Sequence, residues 1–161
     1  QYLALEASGW KGQGNTALAA DQDWIGFFRE TMASAQALGK LDFMRLALDG
    51  KPVAMLINLR APPAAWSYKI TYDEALGRFS PGVLLEIEAL AHLLEDPEIA
   101  WVDSCAKPDH PMINSLWGER LRIAHVAVSL KGPGRRLHYS LCRGLDSLGT
   151  LIRQNGARND D

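Results

Sequence analysis

Residues 66–90 read WSYKITYDEALGRFSPGVLLEIEAL, and the fold turns on how this stretch divides. Trp66 to Tyr72 alternates and is rich in aromatic and β-branched residues, the pattern of a strand. Ser80 then stands where an N-cap is wanted and Pro81 suits the first helical position. Beyond it Val83, Ile87, Leu90 and Leu94 recur at helical spacing, and the helix should end before Asp96-Pro97. "IAWVDSC" (99–105) follows as a further strand. A strand, a helix and a strand in this order imply a crossover, so the two strands should lie parallel.

Working outward, "LDFMRLAL" (41–48) and "PVAMLINLR" (52–60) read as strands joined by the turn signal Asp49-Gly50. The near-continuous apolar run of the second suggests burial on both faces. "APPAA" (61–65) reads as a loop into the third strand. These three should form an antiparallel meander. Upstream, "YLALEAS" is the last turn of a helix or a short strand, "WKGQGNTAL" is a loop by its glycines, and Trp24, Phe27, Phe28, Met32 and Ala35 mark a helix from Asp23 to near Gly39. Downstream come a loop "AKPDHP", a short helix "MINSLWG", a long strand "RLRIAHVAVSL" (120–130), and a last helix carrying Leu141, Leu145, Leu148 and Ile152. The expectation is an α/β (α+β) domain with a mixed, mostly antiparallel sheet and helices on both faces. It should span residues 1–155 as a single unit, with 156–161 a frayed tail. Trp24, Trp66, Trp101 and Trp117 are expected in the core, and His92 and His125 are expected to be structural.

The 161 residues carry a net charge of −2, with 47% hydrophobic and 22% charged residues. That balance lacks the basic stripe of a nucleic-acid-binding domain. No apolar run reaches the roughly 18–20 residues that cross a bilayer, and no signal peptide is visible. Cys105 and Cys142 lie far apart without CxxC spacing, which reads as two free thiols in a cytoplasmic protein. The four histidines share no ligand spacing, so no metal is expected.

The start of the helix at Ser80 poses a chemical question. Gly82 costs roughly 1 kcal/mol relative to alanine inside a helix. Asp or Glu would complement the positive end of the helix dipole, yet the first carboxylate is Glu86, more than a turn in, and Arg78 lies just upstream. The helix end is left open for an anion outside the chain.

The stretches "LEASGWKGQGNTAL", "YDEALGRFSPGVLL" and "VDSCAKPDHPMINSLWGER", in this order, resemble the signature segments of the BioF2-like, CelD-type acetyltransferase domain of the GNAT superfamily, which is related to the FemABX aminoacyltransferases. The resemblance runs roughly from Leu3 to Leu130. It implies a GNAT sheet whose third and fourth strands splay apart toward their C-terminal ends. It implies acetyl-CoA or another acyl-CoA as co-substrate, with its pyrophosphate on the backbone amides of Ser80, Gly82, Val83 and Leu84 and with Arg78 beside it. The common GNAT loop has two glycines where this chain has Arg78-Phe79-Ser80-Pro81-Gly82-Val83, with one.

The same resemblance implies an N-acyltransferase acting on a small polar amine, one connected with cell-surface polysaccharide. A FemABX-type aminoacyl-tRNA-dependent transferase and a non-catalytic GNAT half are the alternatives. Because the chain enters mid-pattern at Gln1, it is expected to be the C-terminal half of a two-half protein, with the N-terminal half as its partner. An ammonium has no lone pair with which to attack a thioester, so a base is needed. Glu74 and Asp73 are the candidates at the third strand's end, with Tyr72 beside them. Asp103 and His110, with Cys105 between them, follow the fourth strand. Lys11 and Trp10 are candidates for holding the substrate.

Overall fold

The computed structural model describes residues 1–124 and 126–156. The chain divides into two compact units, 1–121 and 122–161, and each is described by itself.

The first unit is built on four strands: β1 (Leu41–Leu48), β2 (Lys51–Ala61), β3 (Ala64–Tyr72) and β4 (Trp101–Asp103), in the spatial order β1-β2-β3-β4. β1–β2 and β2–β3 pair antiparallel, and β3–β4 pair parallel. The mixed, mostly antiparallel sheet is therefore as the sequence implies. Asp49 and Gly50 both take positive φ, 50° and 78°, the twist a two-residue hairpin turn requires. "APPAA" is not a loop through its length. β2 runs to Ala61 and β3 starts at Ala64, leaving only the cis-bonded Pro62-Pro63 as the turn.

β2 has helices on both sides. Its Met55 and Ile57 pack with Tyr2 of α1 (Tyr2–Ser8) and Phe28 and Met32 of α3 (Gln22–Ala37). Its Ala54 and Leu56 point the other way, onto Leu85 and Ala89 of α4 (Pro81–Glu95). The helices thus cover both faces.

α4 is rotated from the face that its periodicity suggests. Gly82, Leu85, Glu86, Ala89 and Leu93 are buried, while Ile87 and Leu94 are about half exposed, at 48% and 57%. "WKGQGNTAL" is also more ordered than its glycines imply. It holds the one-turn α2 (Trp10–Gln13) and a 3-10 turn, Leu18–Ala20. α3 begins at Gln22, where Asp21 accepts from the N–H groups of Asp23 and Trp24. Trp24 and Trp101 lie in the open rather than in the core, and His92 is exposed on α4.

α5 (Pro111–Leu116) is the last helix of the first unit. In the second, residues 122–124 and 126–130 have no regular structure, so the expected long strand is not formed there. A strand needs a neighbour for its backbone groups, and the alternation of apolar residues does not supply one. α6 (Pro133–Gly156) follows, with Leu141 and Leu145 exposed. His125 and the tail residues 157–161 lie outside the described residues. Cys105 and Cys142 are free thiols, and no helix among the described residues is long and apolar enough to cross a membrane.

Candidate active site

The site forms where two strands cease to pair. β3 and β4 pair only at Ala64–Trp101, Ala65–Val102 and Trp66–Asp103. Beyond that β4 ends, while β3 runs on to Tyr72 with no strand partner on this side among the described residues. The pairing of β3 with β4 is thus confined to the start of β3. A cavity of about 290 Å³ lies at the freed end of β3. Ile70, Thr71 and Tyr72 form one wall, and Glu6, Trp10 and Lys11 come from α1 and α2. Gly9, Glu74, Gly82, His110 and Met112 complete it.

Glu74 reaches this place through a contact 64 residues away in sequence. Its Oε1 accepts from the Trp10 backbone N–H at 2.6 Å, at the start of α2. The approach depends on Gly9, where an added Cβ would lie 2.7 Å from that same oxygen. Asp73 is placed otherwise. Its Oδ1 accepts from the Ala75 N–H at 3.0 Å, which caps the 3-10 turn Glu74–Phe79, and it does not line the cavity. Of the two acids at the end of β3, only Glu74 faces the cavity.

His110 lines the cavity and caps α5, its Nδ1 accepting from the Ile113 N–H at 3.3 Å. The neutral ring therefore carries its proton on Nε2 and acts as a donor. Asp103 accepts from the Cys105 N–H at 2.8 Å and stands away from the cavity, as does Cys105. Burial and the nearby Asp103 charge push the Cys105 thiol up, away from a reactive thiolate.

The start of α4 is open, though not in the way the sequence suggests. Ser80 is left-handed (φ 50°, ψ 51°) and its side chain makes no cap. Its N–H donates to the Gly77 carbonyl at 2.9 Å, and the Leu84 N–H donates back to the Ser80 carbonyl at 3.1 Å. Two of the four expected amides are thus engaged. Among the described residues, the N–H groups of Gly82 and Val83 have no acceptor. Gly82 also has a packing role. A Cβ there would come within 3.2 Å of Tyr72 Cδ1, so the glycine lets α4 press against the end of β3. Arg78 stacks its guanidinium over Phe79, 4.5 Å from the ring centroid.

Glu6 is the residue the sequence reading missed. It is 1% exposed, yet it lines the cavity. Its Oε2 accepts from the Leu18 N–H at 3.0 Å, and its Oε1 lies 3.5 Å from Lys11 Nζ and 3.8 Å from Lys69 Nζ. Lys11 also donates to the Ile70 carbonyl at 3.4 Å. The only sequence signal is the i, i+4 placement of Tyr2 and Glu6 on one helix face, with Lys11 soon after. A larger groove of about 600 Å³ beside α3, walled by Phe27, Leu38, Leu59 and Trp66, holds none of the candidate residues.

The acetyltransferase (GNAT) domain family matches residues 1–110, which include every cavity residue but Met112. The chain belongs to the GNAT acetyltransferase family. No curated protein matches it. In this GNAT domain Trp10, Lys11, Tyr72, Glu74, Gly82 and His110 share one cavity, while Asp73, Arg78, Ser80, Val83, Leu84 and Asp103 do not line it. Among the described residues no group of three or more His, Cys, Asp or Glu side chains is placed to hold a metal.

Proposed function

We propose that this GNAT domain transfers an acyl group from acyl-CoA to the amine of a small polar acceptor, with Glu74 as general base. The observation that carries the reading is the convergence of Glu74, Tyr72, His110 and Gly82 on one cavity at the end of β3 that β4 leaves unpaired. GNAT domains generally use acetyl-CoA. The residues present suit such a donor: the acceptor-free N–H groups of Gly82 and Val83 lie at the positive end of the α4 dipole, with no carboxylate in the first turn. The chemistry then divides among the side chains. Glu74 takes the proton that leaves the ammonium, freeing the lone pair for attack on the thioester carbonyl. As the tetrahedral adduct collapses, the CoA sulfur needs a proton, and His110 Nε2–H and the Tyr72 hydroxyl are two donors of the cavity that can supply it.

Leu84→Glu tests the donor site, because it sets stability against binding. Leu84 is 51% exposed, so the change leaves the core intact. A carboxylate early in α4 should stabilise the helix by about 0.3–1 kcal/mol while repelling a pyrophosphate. Calorimetric titration with acetyl-CoA should show wild-type binding and a weakening of about tenfold in the variant, with an unchanged or raised Tm. Equal binding by the two proteins removes the start of α4 from the site. A folded wild type that binds no acetyl-CoA ends the acyltransferase reading for this chain.

A further inference from the structure

The cavity carries two unbalanced charges of opposite sign on different walls. Glu6 is one buried carboxylate shared by two partly exposed lysines, Lys11 and Lys69, so this cluster has a surplus of one positive charge. Lys11 is the member of that pair that lines the cavity. Two of its three N–H donors are directed to Glu6 and to the Ile70 carbonyl, which leaves one for a ligand. Glu74 has the opposite imbalance. Its Oε1 is held by the Trp10 N–H, and among the described residues no cation pairs with it. Lys11 on one wall and Glu74 at the exposed rim present opposite charges to the same cavity, which suits a ligand carrying the two complementary charges.

We infer that the acceptor is zwitterionic, an amine whose ammonium is taken by Glu74 and whose own anionic group is taken by Lys11, with Glu6 as the positioning residue that fixes Lys11 in the cavity wall. The inference rests on the acyl-transfer reading for its reaction, but the binding it describes does not need acyl-CoA. The anion is a carboxylate or a phosphate, since an ammonium recognises either.

The test uses the full chain and small acceptors of matched length. Omega-amino acids from glycine to 6-aminohexanoate are compared with 1-aminoalkanes and diaminoalkanes, acetyl-CoA being the donor and release of the CoA thiol the signal. β-Alanine against O-phosphoethanolamine separates carboxylate from phosphate. The best zwitterion should exceed the monoamine of equal length in kcat/KM by at least tenfold, and the diamine should be the poorest. Lys11→Met should bring that ratio close to one. Lys69→Met should lower it too, because it leaves Glu6 and Lys11 as a neutral pair. Lys69 does not line the cavity, so a purely local contact at Lys11 would leave the ratio unmoved.

In parallel, saturation-transfer NMR on the same acceptors without acetyl-CoA reads binding directly. Zwitterion binding that is lost in Lys11→Met supports the inference even if no acceptor turns over. Monoamines acetylated as well as every zwitterion would overturn it while leaving acyl transfer intact. Absence of zwitterion binding by NMR together with absence of any zwitterion preference would overturn it as well.

Discussion

Glu74 and Glu86 lie on either side of the start of α4, and their surroundings give them different properties. Glu74 is exposed at the cavity rim and tethered by one backbone N–H. Glu74→Gln keeps the shape and the tether but cannot take a proton. It should lower kcat by roughly 10²–10⁴ with acetyl-CoA affinity little changed; an unaltered kcat in a steady-state assay would assign the base elsewhere. Glu86 is 3% exposed on the sheet side of α4, and burial raises its pKa. A carboxyl whose folded pKa lies above its unfolded value binds its proton more tightly when folded. Its contribution is therefore favourable below the unfolded pKa, about 4.3, and is lost as pH rises through the folded pKa. Glu86→Gln should thus raise Tm at pH 7, by about 2–4 °C for each kcal/mol relieved, and have little effect near pH 4. Scanning calorimetry at the two pH values checks this, and equal shifts at both would contradict it. The resemblance pointed to Glu74 and Asp73 together as acids at the end of β3, and only the folded chain shows that Glu74 lines the cavity and Asp73 does not. Glu6 was not legible in sequence, because its partners Lys69 and Leu18 are brought to it only by folding.

At the scale of elements, the contact between α4 and β3 shapes the cavity. Gly82 leaves a gap that Tyr72 fills, with 3.2 Å from the position of a Cβ to Tyr72 Cδ1. Gly82→Ala should gain about 1 kcal/mol in helix propensity but incur an overpacking cost of about 1–3 kcal/mol. The net expectation is a loss of up to about 2 kcal/mol, read as a lower urea midpoint, and a raised midpoint would show that α4 is not pressed on Tyr72. The sheet was legible because β1, β2 and β3 each carry a clear apolar pattern, and the helix between β3 and β4 dictated their parallel pairing. The buried face of α4 was not. Leucine, isoleucine and valine occupy most sides of that helix, so two faces fit a helical repeat, and Glu86 lies inside the face that is buried. "APPAA" was misread because alanines carry no strand signal, although Ala61 and Ala64 pair directly across the turn. α2 escaped notice because one turn of helix has little stability of its own, and a contact from Glu74 meets its N-terminus.

At the scale of the whole molecule, the position of the site relative to the two units leads to a last prediction. Every cavity residue lies between Glu6 and Met112, inside the first unit, which closes at Leu121. The family match ends at His110, also within it. The chain that follows has irregular backbone over 122–124 and 126–130, and Arg122 and Lys131 are exposed there. A protease needs several residues of extended, accessible backbone, which helices and paired strands deny it and irregular exposed chain offers. Arg29 lies within α3, and Arg45 and Lys69 within paired strands. Arg120 is tied to α5 through a bond to Asn114 Oδ1, and it also donates to the Trp117 and Glu119 carbonyls. Limited trypsin digestion should therefore cut first after Arg122 and Lys131, as mass spectrometry of the early fragments would show. The fragment ending at Arg122 should keep the first unit's circular dichroism and bind acetyl-CoA within about threefold of the intact chain, a difference of about 0.65 kcal/mol. Early cuts at Arg29, Arg45 or Lys69 would mean that the sheet opens more readily than its pairing implies. A fragment that stays folded but loses acetyl-CoA would show that residues beyond Arg122 complete the donor site, so that the cavity is one part of it.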